Sequence, residues 1–572
     1  MAEDRTQLQE PVGNRNYTNA AVVIIGAGIS GICVAIDQLK KTNRNFVILE
    51  KGTGIGGTWR DNKYPGCCCD VWSHLYSYSF EPNPSWTREY GGQEEILQYL
   101  IGVAHKYELY RYIRFNTSVD SARWDDTTNK WNTTVSVLGG KDAEYGGDTY
   151  TMTSDFLVSA VGQLNLPKFP DIAGLHEFEG RLMHSARWDW SYSLRGKKVA
   201  IIGNGATAVQ IIPAIAGKVD HLTVFQRTPN WALSRGDSPI PAWKRLLFQY
   251  IPFIRERKRA KMMDFREALF GAIVDPTSPG SDQLEDLSRQ HLRTQLPNRP
   301  DLWDKLQPKY SLGCKRVLLT DDYFPVFLRD NVKLKTGRID KITAKGIVVD
   351  GQEEAFDLII TATGFRAVEF LHPMEITGSS GRTLSSVWKD GGHALYGVTV
   401  EGFPNFGMLY GPNTNLAHNS LILMVEAQSK YITALADKAL TARSLHGSLT
   451  ISPKPVRVRE FNEQLQSSLS KTSFADPNCD SWFKLKESGK ITNNWSDTVV
   501  AYQKILSRVD WLDYDVVGTG ADEIKRSNVT MVGRVVEESI VSDTTIGLTI
   551  LSTVTVLGAF LYQNTGRLSS LR

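Results

Sequence analysis

The stretch "AVVIIGAGISG", residues 21–31, runs a β-branched strand into Gly26-x-Gly28-x-x-Gly31. A helical pattern follows in "ICVAIDQLKK", and the next strand, "FVILE", ends in Glu50. Strand, glycine turn, helix, strand and acid form a dinucleotide-binding unit. The glycines permit a tight turn and let a pyrophosphate approach the helix N-terminus. Glu50 can accept hydrogen bonds from ribose hydroxyls. The first unit is therefore expected to hold FAD or NAD.

Residues 198–208, "KVAIIGNGATA", repeat the arrangement. Gly203 and Gly205 are kept and Ala208 stands in the third glycine position, a tolerated exchange. The turn Gly203, Asn204, Gly205, Ala206, Thr207 and Ala208 is thus a second cofactor cradle. Its following strand, "LTVFQRT", places Arg227 where the first unit has Glu50, 24 positions after the first glycine in both cases. Glutamate would repel a phosphate, whereas arginine pairs with a 2′-phosphate. The second unit is expected to bind NADPH; the alternative for Arg227 is an exposed surface cation.

Two further stretches echo each other, "DFLVSAVG" (155–162) and "DLIITATG" (357–364). Both are apolar strands ending in Ala-x-Gly, suited to closing a lobe against its cofactor. The expected fold is α/β, with two Rossmann-like domains and the NADPH domain inserted into a discontinuous FAD domain. The boundaries are a flexible arm at 1–19, an FAD domain at 20–165 and 350–535, and an NADPH domain at 166–349. Residues 240–310, rich in Arg, Lys, Leu and Trp at helical spacing, form a helical insert, either a cap near the substrate or a plain structural element.

Bulk properties narrow the class. The chain has 572 residues, 41% hydrophobic and 22% charged, with a net charge of +3. That is a multi-domain globular composition with no charge excess to suggest a nucleic-acid partner. The six Cys, three of them consecutive at Cys67, Cys68 and Cys69, do not resemble a disulfide framework and suit a reducing compartment. A metal at this triplet lacks further ligands at suitable spacing, since only His74 is close. The start lacks the apolar core of a signal peptide. No charge occurs between Asp543 and Arg567, and "IGLTILSTVTVLGAFLY" (546–562) is apolar apart from Ser and Thr. Such a run just meets the ~17-residue lower limit of a spanning helix. Residues 544–563 are the candidate transmembrane segment. The expected location is a membrane with the body facing the cytoplasm, the alternative being a soluble cytoplasmic protein.

In "FEGRLMHSARWDW" (178–190), Phe178, Gly180, His184 and Trp188 fit neither a helical face nor a strand alternation. With Asp189 they match the Phe-x-Gly-x-x-x-His-x-x-x-Trp fingerprint of the Baeyer–Villiger monooxygenases. A second signature of that family is matched by Gly57, Trp59, Tyr64, Pro65, Gly66 and Asp70 in "GGTWRDNKYPGCCCD". From about residue 20 to 500 the chain resembles this family. The stretches "YPGCCCDVWSHLYSYSFEP" and "GPNTNLAHNS" are most similar to fungal members acting in secondary metabolism.

The resemblance implies FAD and NADPH as cofactors and O2 and a ketone as co-substrates. It implies insertion of one oxygen atom beside the carbonyl, through a flavin peroxide, to give an ester or lactone. His184 and Trp188 are then organisers of the linker between lobes. In "SLGCKRVLL" (311–319), Lys315-Arg316 matches the family's basic pair, although alone it would read as a surface pair. Arg316 is the expected catalytic cation, and a guanidinium suits a desolvated site because its charge persists. Asp70 resembles the carboxylate that contacts this Arg and the nicotinamide. Lys315 would reach the 2′-phosphate beside Arg227 and Thr228. By the same resemblance Thr58, Trp59, Asp61 and Tyr76 contact FAD, while Cys69 and Trp482 lie on the NADPH side. The nearest alternative is a flavin monooxygenase oxidising nitrogen or sulfur; a third is a non-catalytic, membrane-bound scaffold that retains cofactor. The absence of C-x-x-C spacing beside the first fingerprint argues against a disulfide reductase.

Overall fold

The computed structural model describes residues 18–138 and 148–539, together with 552–553 and 555–556. The arm at 1–19 falls almost wholly outside these residues, and so does the candidate span 544–563 apart from four positions. Among the described residues no helix is long and apolar enough to cross a membrane.

Strand Asn19–Ile25 is buried along nearly its whole length. It lies between two parallel neighbours, Phe46–Leu49 and Thr149–Ser159, with Val23 opposite both Val47 and Leu157. A continuous β-branched run suits such a strand because both faces are covered. Helix Ile29–Lys40 covers one face. The 24-residue helix Leu421–Ser444 packs on it, and Ser429 and Thr433 hydrogen bond to Asp37 and Gln38. Strand Lys130–Val137 alternates half-buried and buried residues and pairs antiparallel on both sides, the pattern of a sheet with unlike faces. Strand Phe406–Met408 adds to Thr149–Ser159 from the far part of the chain, so this sheet is built from two separated stretches of sequence.

The second lobe is a five-stranded parallel sheet in the order Val332–Lys335, His221–Phe225, Lys198–Ile202, Leu358–Thr361, Arg181–His184. It has its own core, including Val199, Ile201, Ile212, Leu222, Leu358 and Ile360. One boundary needs correction. Residues 350–364 belong to this lobe, not to the FAD domain, because strand 358–361 hydrogen bonds between 198–202 and 181–184. The insert is helical, with Ala242–Tyr250, Pro252–Val274, Pro279–Gln295 and Pro300–Leu306.

The Ala-x-Gly echo has a geometric cause. The carbonyl of Ala160 sits 2.8 Å from where a Cβ on Gly26 would be, and that of Ala362 sits 2.5 Å from a Cβ on Gly203. Both glycines have positive φ, +102° and +112°. In each lobe the neighbouring strand's end thus presses on the turn, and a side chain there would collide with backbone.

Candidate active site

The site lies where the two lobes meet, and "YPGCCCD" (64–70) makes the junction. Gly66 has φ +78°, and a Cβ on it would stand 2.5 Å from the carbonyl of Gln210, on helix Ala206–Ala216 of the second lobe. The Gln210 side chain accepts from Tyr64 Oη (3.1 Å) and the Cys68 amide (3.3 Å), and donates to the Cys68 carbonyl (3.1 Å). This docking ends the loop with Asp70 aimed at Arg316.

Arg316 and Asp70 form a two-bond ion pair. Nη2 donates to Oδ1 at 2.7 Å, Nε donates to Oδ2, and Nη1 donates to the Leu416 carbonyl at 3.1 Å. Both side chains keep only about a quarter of their surface, 25% and 26%. Burial alone would raise the Asp70 carboxyl, but the Arg316 charge and hydrogen bonds outweigh it and hold the group below its ordinary range. Conversely, burial disfavours the Arg316 cation and Asp70 reverses that, so the guanidinium stays charged.

The glycine turns fit dinucleotides. Helices Ile29–Lys40 and Ala206–Ala216 start at Gly28 and Gly205 with no side-chain cap, leaving first-turn amides for a phosphate. A Cβ on Gly28 would meet Gly57 at 3.5 Å, and one on Gly205 would meet nothing within 4 Å. Gly31 is dictated by its own turn, since a Cβ would lie 1.9 Å from the Gly26 carbonyl. Glu50 closes the first turn by accepting from the amides of Ala27 (2.8 Å) and Gly52 (2.7 Å). Burial raises its carboxyl despite those bonds. Thr58, Trp59 and Asp61 share the short helix Thr58–Asp61, next to Gly57 and hence beside Gly28. Trp59 Nε1 donates to Tyr76 Oη (3.1 Å), and Asp61 accepts from Asn165 (2.6 Å). Cys69 is buried beside Asp70, and burial raises its thiol.

On the second lobe, Asn204 Nδ2 donates to Gln226 Oε1 (2.8 Å) and the Thr228 carbonyl (2.9 Å), fixing the turn against its strand. Arg227 is 79% exposed and pairs with Asp480 at 2.9 Å. Lys315 lies over the Tyr310 ring, and its ammonium is lowered by burial and by the Arg227 charge. Arg227, Thr228 and Lys315 therefore converge. Trp482, 41% exposed, packs at a tilt against Phe483 on the Asp480-bearing segment rather than lying in a core.

That segment carries a correction. Cys314 and Cys479 are joined by a disulfide, although the cysteine pattern gave no sign of one. The link ties the Lys315-Arg316 loop to the loop of Asp480 and Trp482, and the Ser311 amide adds a bond to Asp476 (2.8 Å). Cys67, Cys68 and Cys69 are free. Sequence reasoning also missed Arg266, which donates to the Asp70 carbonyl (3.2 Å) from the helical insert, and Asp480. Neither stands in a motif.

His184 ends the strand Arg181–His184, between Phe169 and Phe365, and its Nδ1 accepts from the Ala186 amide (3.1 Å). Burial pushes its imidazolium down to about 4, so it is neutral. This is a positioned linker residue.

Residues 19–265 match a family model described as flavin-binding monooxygenase-like. A protein from Streptomyces coelicolor named Baeyer–Villiger monooxygenase is 38% identical over 503 residues, 88% of this chain and 93% of that protein. The chain belongs to the Baeyer–Villiger monooxygenases. The chain is also 50% identical over 538 residues to the FAD-binding monooxygenase ktnD of Aspergillus niger, covering 94% of this chain and 88% of ktnD. The closed crystal structure of cyclohexanone monooxygenase superposes with a TM-score of 0.75 at 27% identity, covering 88% of this chain and all of that one. The OTEMO complex with FAD and NADP gives 0.75 at 26%, covering 87% and 99%. The likeness to these structures thus covers most of the chain.

Proposed function

We propose that the chain is an FAD- and NADPH-dependent Baeyer–Villiger monooxygenase that uses O2 to insert one oxygen atom beside a ketone carbonyl. Family membership supports the two cofactors and the reaction class. The observation that carries the mechanism is the buried Arg316–Asp70 pair at the lobe junction.

FAD, when bound, supplies the redox chemistry: it takes a hydride from NADPH and activates O2. The protein's own residues do the rest. Gly26, Gly28, Gly31 and Glu50 would hold the FAD pyrophosphate and ribose, with Thr58, Trp59, Asp61 and Tyr76 along the same wall. Gly203, Asn204, Gly205, Ala206, Thr207 and Ala208 would cradle the NADPH pyrophosphate. Arg227, Thr228 and Lys315 would take its 2′-phosphate, with Cys69 and Trp482 on the nicotinamide side. Arg316 holds a permanent positive charge where negative charge develops on oxygen during attack on a carbonyl. That charge counts for more in a partly desolvated pocket than in water. Asp70 fixes the guanidinium plane through two bonds and keeps the buried cation compensated until that moment.

Action in secondary metabolism rests on the fungal-type stretches of the sequence. Membrane attachment rests on the apolar run 546–562 and is tested by detergent-free fractionation; wholly soluble full-length protein excludes it. The reaction is tested by anaerobic reduction with NADPH, then O2 and a panel of bulky ketones. A mass gain of one oxygen atom is expected, and flavin reduction with only hydrogen peroxide released would contradict the reading.

A further inference from the structure

The oxygenation site contains a second guanidinium that the family signatures do not account for. Arg266 lies on helix Pro252–Val274 and reaches into the junction. Its Nη2 donates to the Asp70 carbonyl at 3.2 Å and its Nη1 to the His418 carbonyl at 3.4 Å. Its Nε is buried and has no hydrogen-bond partner among the described residues. The guanidinium carbon sits 4.8 Å above the Trp72 ring. No carboxylate pairs with it among the described residues. The neighbouring Asp70 carboxylate is already engaged twice by Arg316.

Asp70 grips Arg316 through two bonds and acts on Arg266 only through space, so one carboxylate faces two cations and the three groups together keep a net positive charge. Burial holds the Arg266 guanidinium pKa below the ordinary value, Tyr90 and Asp70 oppose that shift, and nearby Arg316 adds to it. Chains seldom retain a buried cation without an ion-pair partner unless it is used, because taking the charge out of water is costly. Beside it stands an aromatic wall. Trp72 packs against Tyr90 at 6.3 Å and Phe265 at 5.5 Å, and Phe265 is 53% exposed although it belongs to a helix that reaches the site. The wall, with its rings inclined at 38° and 55° to Trp72, offers an aromatic surface next to a fork of donors.

We propose that Arg266 is a specificity-determining residue that binds an anionic group on the substrate, making the preferred ketone one that carries a carboxylate or phenolate on an aromatic ring. The ring lies on the Trp72–Phe265 face and the anion meets Arg266, leaving the carbonyl to Arg316. This assignment rests on the Baeyer–Villiger reading of the same site.

The test uses the holoenzyme with 4-(4-oxocyclohexyl)benzoate and its methyl ester, which share shape and differ in charge. The wild type is expected to prefer the acid in kcat/KM. In Arg266→Gln the acid-to-ester ratio should fall by about tenfold or more, mainly through KM, because a hydrogen bond to a charged group is lost. Arg266→Lys should recover part of it. The Kd of biphenyl-4-carboxylate, followed by the flavin spectrum without turnover, should rise similarly in the Gln variant. Three results would overturn the proposal: a wild type that favours the ester, an unchanged ratio in Arg266→Gln, or a parallel rise in the KM for NADPH, which would make a cofactor phosphate the ligand. The first needs no variant, so misfolding cannot shelter the idea. If neither ketone is oxygenated, the Baeyer–Villiger reading fails, and the Kd of the carboxylate still decides the role of Arg266.

Discussion

Arg316 grips Asp70 through both carboxylate oxygens, joining a loop of the second lobe to the "YPGCCCD" loop of the first across 246 residues of sequence. The pair is at once a lobe-to-lobe clasp and the charge centre of the site. Removing the carboxylate leaves a buried cation unpaired. Asp70→Ala should therefore cost about 3–5 kcal/mol of stability, read as a lowered denaturation midpoint. The pH dependence has a definite sign. Asp70 is held below its ordinary range, so its contribution is present above the unfolded value near ~4 and is lost only as pH falls through the lower folded value. An Asp70→Ala midpoint equal to that of the wild type at pH 7 would show the clasp to be inert.

Arg227 and Asp480 form an exposed pair, 79% and 57% accessible, in which the carboxylate occupies the cation expected to meet the 2′-phosphate. Exposed pairs contribute about 0.2–1 kcal/mol. Asp480→Asn should then lower the KM for NADPH by up to about fivefold and leave NADH, which lacks the phosphate, unaffected. Arg227→Ala should erase the preference for NADPH. Steady-state kinetics with both nucleotides checks each, and a retained preference in Arg227→Ala would move the phosphate site elsewhere.

Cys314 and Cys479 are bonded, whereas Cys33, Cys67, Cys68 and Cys69 are free. Thiol titration of the unfolded chain without reductant should count four reactive groups, rising to six after reduction. In the native protein the free thiols should react slowly, since burial pushes Cys67 up to about 12 and raises the others. Six thiols without reductant would remove the tether between the Arg316 and Trp482 loops.

His184 is neutral because burial pushes it down to about 4, against about 6.5 in an unfolded chain. Between these values the unfolded chain binds more protons, so stability rises with pH over that window and is lost as pH falls through it. His74, down to about 3, adds to the same slope. Thermal midpoints measured from pH 7 to 4 should fall, and His184→Phe should flatten the decline between about 6.5 and 4. An unchanged slope would mean that the imidazole does not titrate differently in the two states.

Much of this was legible in the chain itself, for a local reason. A glycine turn, its strands and its terminal acid or base lie within about thirty residues, so Gly26–Glu50 and Gly203–Arg227 announce their lobes directly. Asp70 and Arg316 each sit in a signature. The features that escaped are pairings between distant segments without motif: Arg266 with the Asp70 carbonyl over 196 residues, Arg227 with Asp480 over 253, and Cys314 with Cys479 over 165. Nothing in composition or period encodes such a meeting. The misplaced domain boundary has a related cause. Strand Leu358–Thr361 is equally apolar whichever sheet it joins, and only its register with 181–184 and 198–202 decides.

The most direct test concerns the charge at position 316. Arg316→Ala should be compared with the wild type in ketone oxygenation under saturating NADPH and O2, with product rather than NADPH consumption measured. The expected loss is about 100- to 1,000-fold in kcat, the usual cost of deleting a fixed donor to developing negative oxygen. Ketone oxygenation by Arg316→Ala at the wild-type rate would contradict the account.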